Sequence, residues 1–147
     1  MTTGSLPGWL PAVNRLVKAV NRVGLALGPV QVLTVPGRTS GQPRSTPVSP
    51  LAVDGRWYVI AGLPNSHWAR NVRAAGHGCL ARGRRQQDVR LIEVADPELR
   101  RTVMRAFPTE VRGGVPFFVR LGLVTSADPE EFAAAADQVA VFEICPA

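Results

Sequence analysis

Two prolines fall inside the most extended-looking stretch of this chain. Residues 44–53 read RSTPVSPLAV, and Pro47 and Pro50 both lack the backbone N–H that a strand paired on both sides requires. The stretch therefore belongs at a sheet edge or carries a bulge. Before it, an apolar strand over 29–35 is stopped by Pro36 and Gly37. The chain continues with short extended pieces and turn signals. Asp54-Gly55 is a hairpin turn leading into a strand over 56–62. Residues 77–83 and 87–95 form another hairpin, joined across Arg84, Arg85 and Gln86, and 139–145 read as a closing strand.

Helices punctuate these strands. Over 9–27, Leu10, Val13, Leu16, Val17, Val20 and Leu27 share one face of an amphipathic helix. Packing against the domain suits that face, and its Trp9 and cations also permit contact with a membrane surface. HWARNVRAAG (67–76) is a short helix ending at Gly76. Asp96 and Pro97 are a cap and first-turn pair for a helix to about Phe107. Ser126 or Asp128 caps another over PEEFAAAADQ, and the apolar segment 115–123 fits either helix or strand. About six short strands, mostly hairpin-linked, with helices at start, middle and end argue for an α+β fold, its antiparallel sheet rolled into a small barrel.

At 147 residues the chain fits one domain, with 1–28 as the N-terminal helical segment and 29–147 as the barrel. No apolar run approaches the ~18 residues of a bilayer span. The N-terminus lacks the pattern of a secretory signal. Cys79 and Cys145, with no CxxC spacing, give neither a disulfide framework nor a zinc signature. A cytoplasmic protein, monomeric or homodimeric, is the expectation. The net charge of +6 suggests an anionic partner. Only Lys18 among 17 basic residues is lysine, and arginine grips phosphate or carboxylate bidentately. Nucleic acid could meet Arg82, Arg84 and Arg85, but no recognition motif accompanies them.

No acid/base or nucleophile constellation stands out. His67 and His77 have no carboxylate at metal-ligand spacing, and Ser40 is not in a G-x-S-x-G elbow. An enzyme of this sequence would leave the reaction to a cofactor. The turn VPGRTSGQPRSTPV (35–48) offers a place for one. Its glycines bend the chain and expose N–H groups, Arg38 and Arg44 supply charge, and Thr39, Ser40, Ser45 and Thr46 add hydroxyls. That set suits a phosphate, and composition alone leaves a solvated hairpin loop equally open. Downstream, Trp68 and Asn71 lie three apart on one helical face, suited to an aromatic ring and its polar edge.

The spacing G-R-x-S-G-x-x-R-x-x-P (37–47), the strand after Asp54-Gly55 and HWARN (67–71) resemble the deazaflavin-dependent nitroreductase family. Its members are split β-barrel oxidoreductases that use coenzyme F420. The resemblance runs over about residues 30–95. It implies that Arg38, Thr39, Ser40 and Arg44 hold the coenzyme's phosphate and the start of its acidic tail. It implies that Ser45, Thr46 and Pro47 pass along the deazaflavin, that Ala61, Gly62 and Leu63 line the ring, and that Trp68 and Asn71 lie near it. The expected activity is hydride transfer to a quinone, enone or nitroaromatic. FMN is the alternative cofactor, and a non-catalytic binder of coenzyme, lipid or haem the alternative role. The sequence departs from the family in its short LPNS loop (63–66) and in having Phe117 and Phe118 where tyrosines shape the substrate pocket. No proton donor is assigned; Tyr58, Ser66, His67 and solvent are the candidates.

Overall fold

A computed structural model of the chain describes residues 30–147. The helix expected over 9–27, within the 1–28 segment, lies outside the described residues. Seven strands form one sheet: β1 (Gln31–Pro36), β2 (Pro43–Val48), β3 (Leu51–Val53), β4 (Arg56–Ala61), β5 (His77–Arg82), β6 (Arg85–Glu93) and β7 (Ala140–Pro146). Four α-helices accompany them: α1 (His67–Ala75), α2 (Pro97–Glu110), α3 (Val115–Arg120) and α4 (Pro129–Ala134). The strand order is β2-β1-β5-β6-β7-β4-β3, antiparallel throughout.

The prolines decide how this sheet closes. The stretch expected as one edge strand is two, β2 and β3, and they form the two opposite edges of the sheet. Only Ser49 and Pro50 separate them. Three Cα steps of ~3.8 Å cannot span more than ~11 Å, so the edges must come together and the sheet must roll into a split barrel. Pro43 and Pro47 are tolerated because β2 pairs with β1 alone.

Strand alternation then sorts the core into two clusters. On β4, Val59 and Ala61 face the barrel interior, while Tyr58 and Ile60 face outward. On β7, Ala140 and Phe142 point in and Val141 points out. Helix α1 plugs one end of the barrel with Ala69 and Val72, both fully buried. Helices α2 to α4 cover the outer face, where Phe107 meets Phe118 edge-on at 4.8 Å and stacks on Phe132 at 5.7 Å. Each buried phenylalanine contributes roughly 1.5–3 kcal/mol.

Local signals hold with small shifts. Asp54 (φ 51°) and Gly55 (φ 78°) are both left-handed, as a two-residue primed turn demands. The β5–β6 turn is Gly83-Arg84, with Arg82 facing Arg85, and not 84–86; Gly83 at φ 58° sets the bend. Asp128, not Ser126, caps α4 by accepting from Glu130 N–H. Residues 115–120 are helical, and α2 continues through buried Pro108 to Glu110.

Candidate functional site

The 37–42 turn is held by its own backbone. Gly37 N–H donates to Gln42 O at 2.7 Å, and Gly41 N–H to Gly37 O at 2.9 Å. Gln42 N–H donates to Ser40 Oγ at 3.2 Å. Gly41 sits at φ 73°, the left-handed region that favours glycine. The glycine N–H groups are therefore spent inside the turn and do not face an anion as expected. The N–H groups of Thr39 and Ser40 find no acceptor among the described residues.

Helix α1 supplies the opposing wall. Ser66 Oγ accepts from Ala69 N–H at its start, and Gly76 at φ 72° ends it with a bond to Val72 O. The cap fixes the helix register, and with it Asn71, a buried polar side chain. Asn71 Oδ1 accepts from Arg38 N–H at 3.1 Å and from Arg38 Nη1 at 2.8 Å. Arg38 Nη2 lies 3.2 Å from His67 Nδ1. A guanidinium can only donate, so Nδ1 accepts and the neutral ring carries its proton on Nε2. Asn71 thus anchors an arginine with its oxygen, where a ring edge was the expected partner. Its NH₂ group has no acceptor among the described residues.

These walls enclose a cleft of about 500 Å³. It brings together Arg38, Thr39, Ser40, Arg44, Ser45, Thr46, Trp68 and Asn71 of the expected residues, and adds Gly37 and His67. Arg44 is exposed and has no ion-pair partner among the described residues. Ser45 Oγ and Thr34 Oγ1 are hydrogen-bonded at 2.7 Å across β1 and β2. A second cleft of about 430 Å³ shares Thr46 and Trp68 with the first. Pro47, Gly62 and Leu63 line it, together with Phe117 and Phe118. It is mainly apolar, where the first is cationic and rich in donors.

Two expectations change. Ala61 is buried in the interior core and lines neither cleft. Tyr58 belongs to the outer core among the helices, away from both clefts, where burial first and the Glu143 carboxylate second raise its phenol above the usual value. Ser66 lines the second cleft while it caps α1. Phe107 and Gly114 also line that cleft, and no periodicity marks them because a chain reversal places them there. Among the described residues, no group of three or more acidic, His or Cys side chains could hold a metal. No described helix is long and apolar enough to cross a membrane.

The model of the F420H(2)-dependent quinone reductase family matches residues 12–112. The chain belongs to that family. As an F420H(2)-dependent reductase it is an oxidoreductase whose cofactor is coenzyme F420. The residues gathered here fit such a coenzyme in chemical type. Arg38 and Arg44 suit its anionic end, the buried Asn71 amide has N–H groups to give, and the Trp68 side of the apolar cleft suits a flat ring. Solved structures share the fold of this reductase. An F420-H2 dependent reductase, FDR-A, superposes with a TM-score of 0.52 at 20% identity, over 80% of this chain and 94% of that one. A conserved hypothetical protein of Mycobacterium tuberculosis, Rv2991, gives 0.54 at 13% identity, over 88% and 79%. A FAD-binding protein of Mesorhizobium loti gives 0.51 at 15%, over 87% of each chain. No curated protein matches the sequence.

Proposed function

We propose that this reductase passes a hydride to a quinone-like, electron-poor acceptor held against the coenzyme at the seam of the two clefts. The observation that carries the reading is the meeting of a cationic cleft and an apolar one at Thr46 and Trp68. A ligand anionic at one end and flat at the other spans such a pair. When bound, reduced F420 supplies the hydride from C5 of its deazaflavin.

The chain's own residues bind, orient and exclude water. Arg38, held by Asn71 and His67, and the exposed Arg44 grip the phosphate and the acidic tail, with Thr39 and Ser40 N–H groups as further donors. Thr46 and Pro47 run along one side of the ring, Gly62 and Leu63 along the other, and Trp68 closes the seam. Gly62 leaves room for the side chains around it. A Cβ there would stand 2.9 Å from Leu121 Cδ1 and 3.0 Å from Phe117 Cε2. The apolar wall of Phe117 and Phe118 seats a planar acceptor, and dry surroundings strengthen every polar contact made to it. Tyr58 is buried in the outer core and lines neither cleft. Ser66 and His67, each on the lining of a cleft, and solvent are the proton sources this site offers.

A fluorescence titration of F420 tests the reading. Arg38→Ala and Arg44→Ala should each weaken binding by about 1.5–3 kcal/mol per lost charged contact. Unchanged affinity in the double variant would remove both from the site. A panel of quinones, enones and nitroaromatics, assayed with reduced F420, tests the acceptor; turnover confined to nitroaromatics would overturn the quinone reading.

A further inference from the structure

The barrel has a second end. Positions that face its interior near α1, such as Val35, Val59, Ala61 and Phe142, are buried. The same alternation, followed down the strands, gives Trp57 on β4, Leu80 and Arg82 on β5, Gln87 on β6 and Ile144 on β7. These lie around a cavity of about 410 Å³. Leu80 and Ile144 pack on the interior core while remaining half-exposed. Trp57 pairs directly with Ile144 and is 51% exposed although the strand period assigns it to the inside. The cavity is thus the open floor of the hydrophobic interior, where no described element does what α1 does at the top.

The chemistry of this floor is mixed in a particular way. Trp57, Leu80 and Ile144 give an apolar wall whose largest part is a half-exposed indole face. Arg82 supplies a guanidinium at the rim, and the adjoining turn carries Arg84, with Arg85 paired opposite Arg82. Gln31 and Gln87 add amide donors. No acidic residue among the described ones lines the cavity, and Arg82 has no ion-pair partner among them. A half-exposed tryptophan, a free arginine fork and a volume in the range of small-molecule sites are complementary to one kind of guest.

We propose that the floor of the barrel binds a planar aromatic carboxylate, its ring on Trp57 and its carboxylate on Arg82, at a site distinct from the two clefts. The site shares no lining residue with either cleft. It does not depend on the reductase reading, because neither its residues nor its guest takes part in hydride transfer.

The test is calorimetric titration of the full chain with 2-naphthoate, and with 2-naphthalenemethanol as its neutral analogue. One equivalent of naphthoate should bind, equally well to the Arg38→Ala/Arg44→Ala variant and to protein saturated with F420. Arg82→Gln, a change at an exposed rim, should weaken it roughly tenfold or more, as loss of a charged contact does. Trp57→Ala should weaken naphthoate and the neutral analogue alike, and Trp57→Phe should restore part of both. Naphthoate binding that F420 displaces would place it in the known clefts and overturn the proposal. So would affinity indifferent to Arg82→Gln. A dimer in sedimentation that Trp57→Ala dissociates would assign the floor to a second copy of the chain instead.

Discussion

Asn71 Oδ1 takes two hydrogen bonds from one residue, the main-chain N–H and the Nη1 of Arg38. Through that single atom, helix α1 sets both the path of the 37–42 turn and the direction of its arginine. Asn71→Leu removes the acceptor and leaves a part-buried N–H unsatisfied, at a cost of about 1–3 kcal/mol in stability. F420 affinity should fall by roughly 10-fold or more, because the contact proposed between Arg38 and the coenzyme would lose its support. Asn71→Asp keeps the acceptor but sets a carboxylate beside an anionic ligand. It should preserve stability better than leucine and still weaken F420. Fluorescence titration with a parallel urea unfolding curve separates the two effects; full affinity in Asn71→Leu would remove Asn71 from the site.

Gly62 predicts a split between the two ligands. Gly62→Ala must displace Leu121 and Phe117, an overpacking that costs about 1–3 kcal/mol. Since Gly62 borders the proposed ring position and Phe117 the proposed acceptor side, the KM for a quinone should rise several-fold, by more than F420 affinity falls. Steady-state kinetics with a saturating coenzyme checks this. An equal loss for both would place the ring, and not the acceptor, against Phe117.

Arg73 ties three elements together. Its Nε and Nη2 donate to the Glu93 carboxylate at 2.9 and 3.0 Å, its Nη1 donates to Pro64 O at 2.6 Å, and its guanidinium lies 5.8 Å from the centre of the Phe142 ring. The ion pair is partly exposed, so its coupling in an Arg73/Glu93 double-mutant cycle should be about 0.5–1 kcal/mol. Arg73→Ala should cost more than Glu93→Gln, because it also frees the 63–66 loop that borders the second cleft. Equal destabilisation by the two changes would leave the Pro64 bond without a role.

Tyr58, the sole tyrosine, gives a clean pH prediction. Burial and the Glu143 carboxylate raise its folded pKa above the ordinary 10.0. The contribution of the neutral phenol is therefore complete below the unfolded value and is lost as pH rises through the folded one. Stability should decline above about pH 10 more steeply in the wild type than in Tyr58→Phe. Absorbance at the phenolate band should show ionisation later in folded than in urea-unfolded protein. Coincident titrations would contradict the burial.

Burial also raises both thiols, with Asp88 adding to the effect at Cys79 and Glu143 at Cys145. Both are free, so each should react slowly with a disulfide reagent at neutral pH and faster after unfolding. Rapid labelling of Cys79 in the folded protein would show β5 to be more open than its pairing implies.

Much of this protein is written in short-range chemistry. Pro47 and Pro50 dictated edge strands because a proline cannot donate to a second neighbour. Asp54-Gly55, Gly76 and Asp96-Pro97 set a primed turn, a helix end and a helix start, each through its own backbone geometry. The turn with Arg38 and Arg44 and the helix with Trp68 and Asn71 were legible as spacing. What no spacing carries is which atoms meet across 33 residues of chain. Only the rolled sheet with its docked helices turns Asn71 Oδ1 toward Arg38, buries Ala61 and Tyr58 on opposite faces of β4, and brings Phe117 against Gly62. Local bonds obey local sequence. The partners of a side chain depend on how edges close and helices dock, and those are settled by the packing of the whole chain.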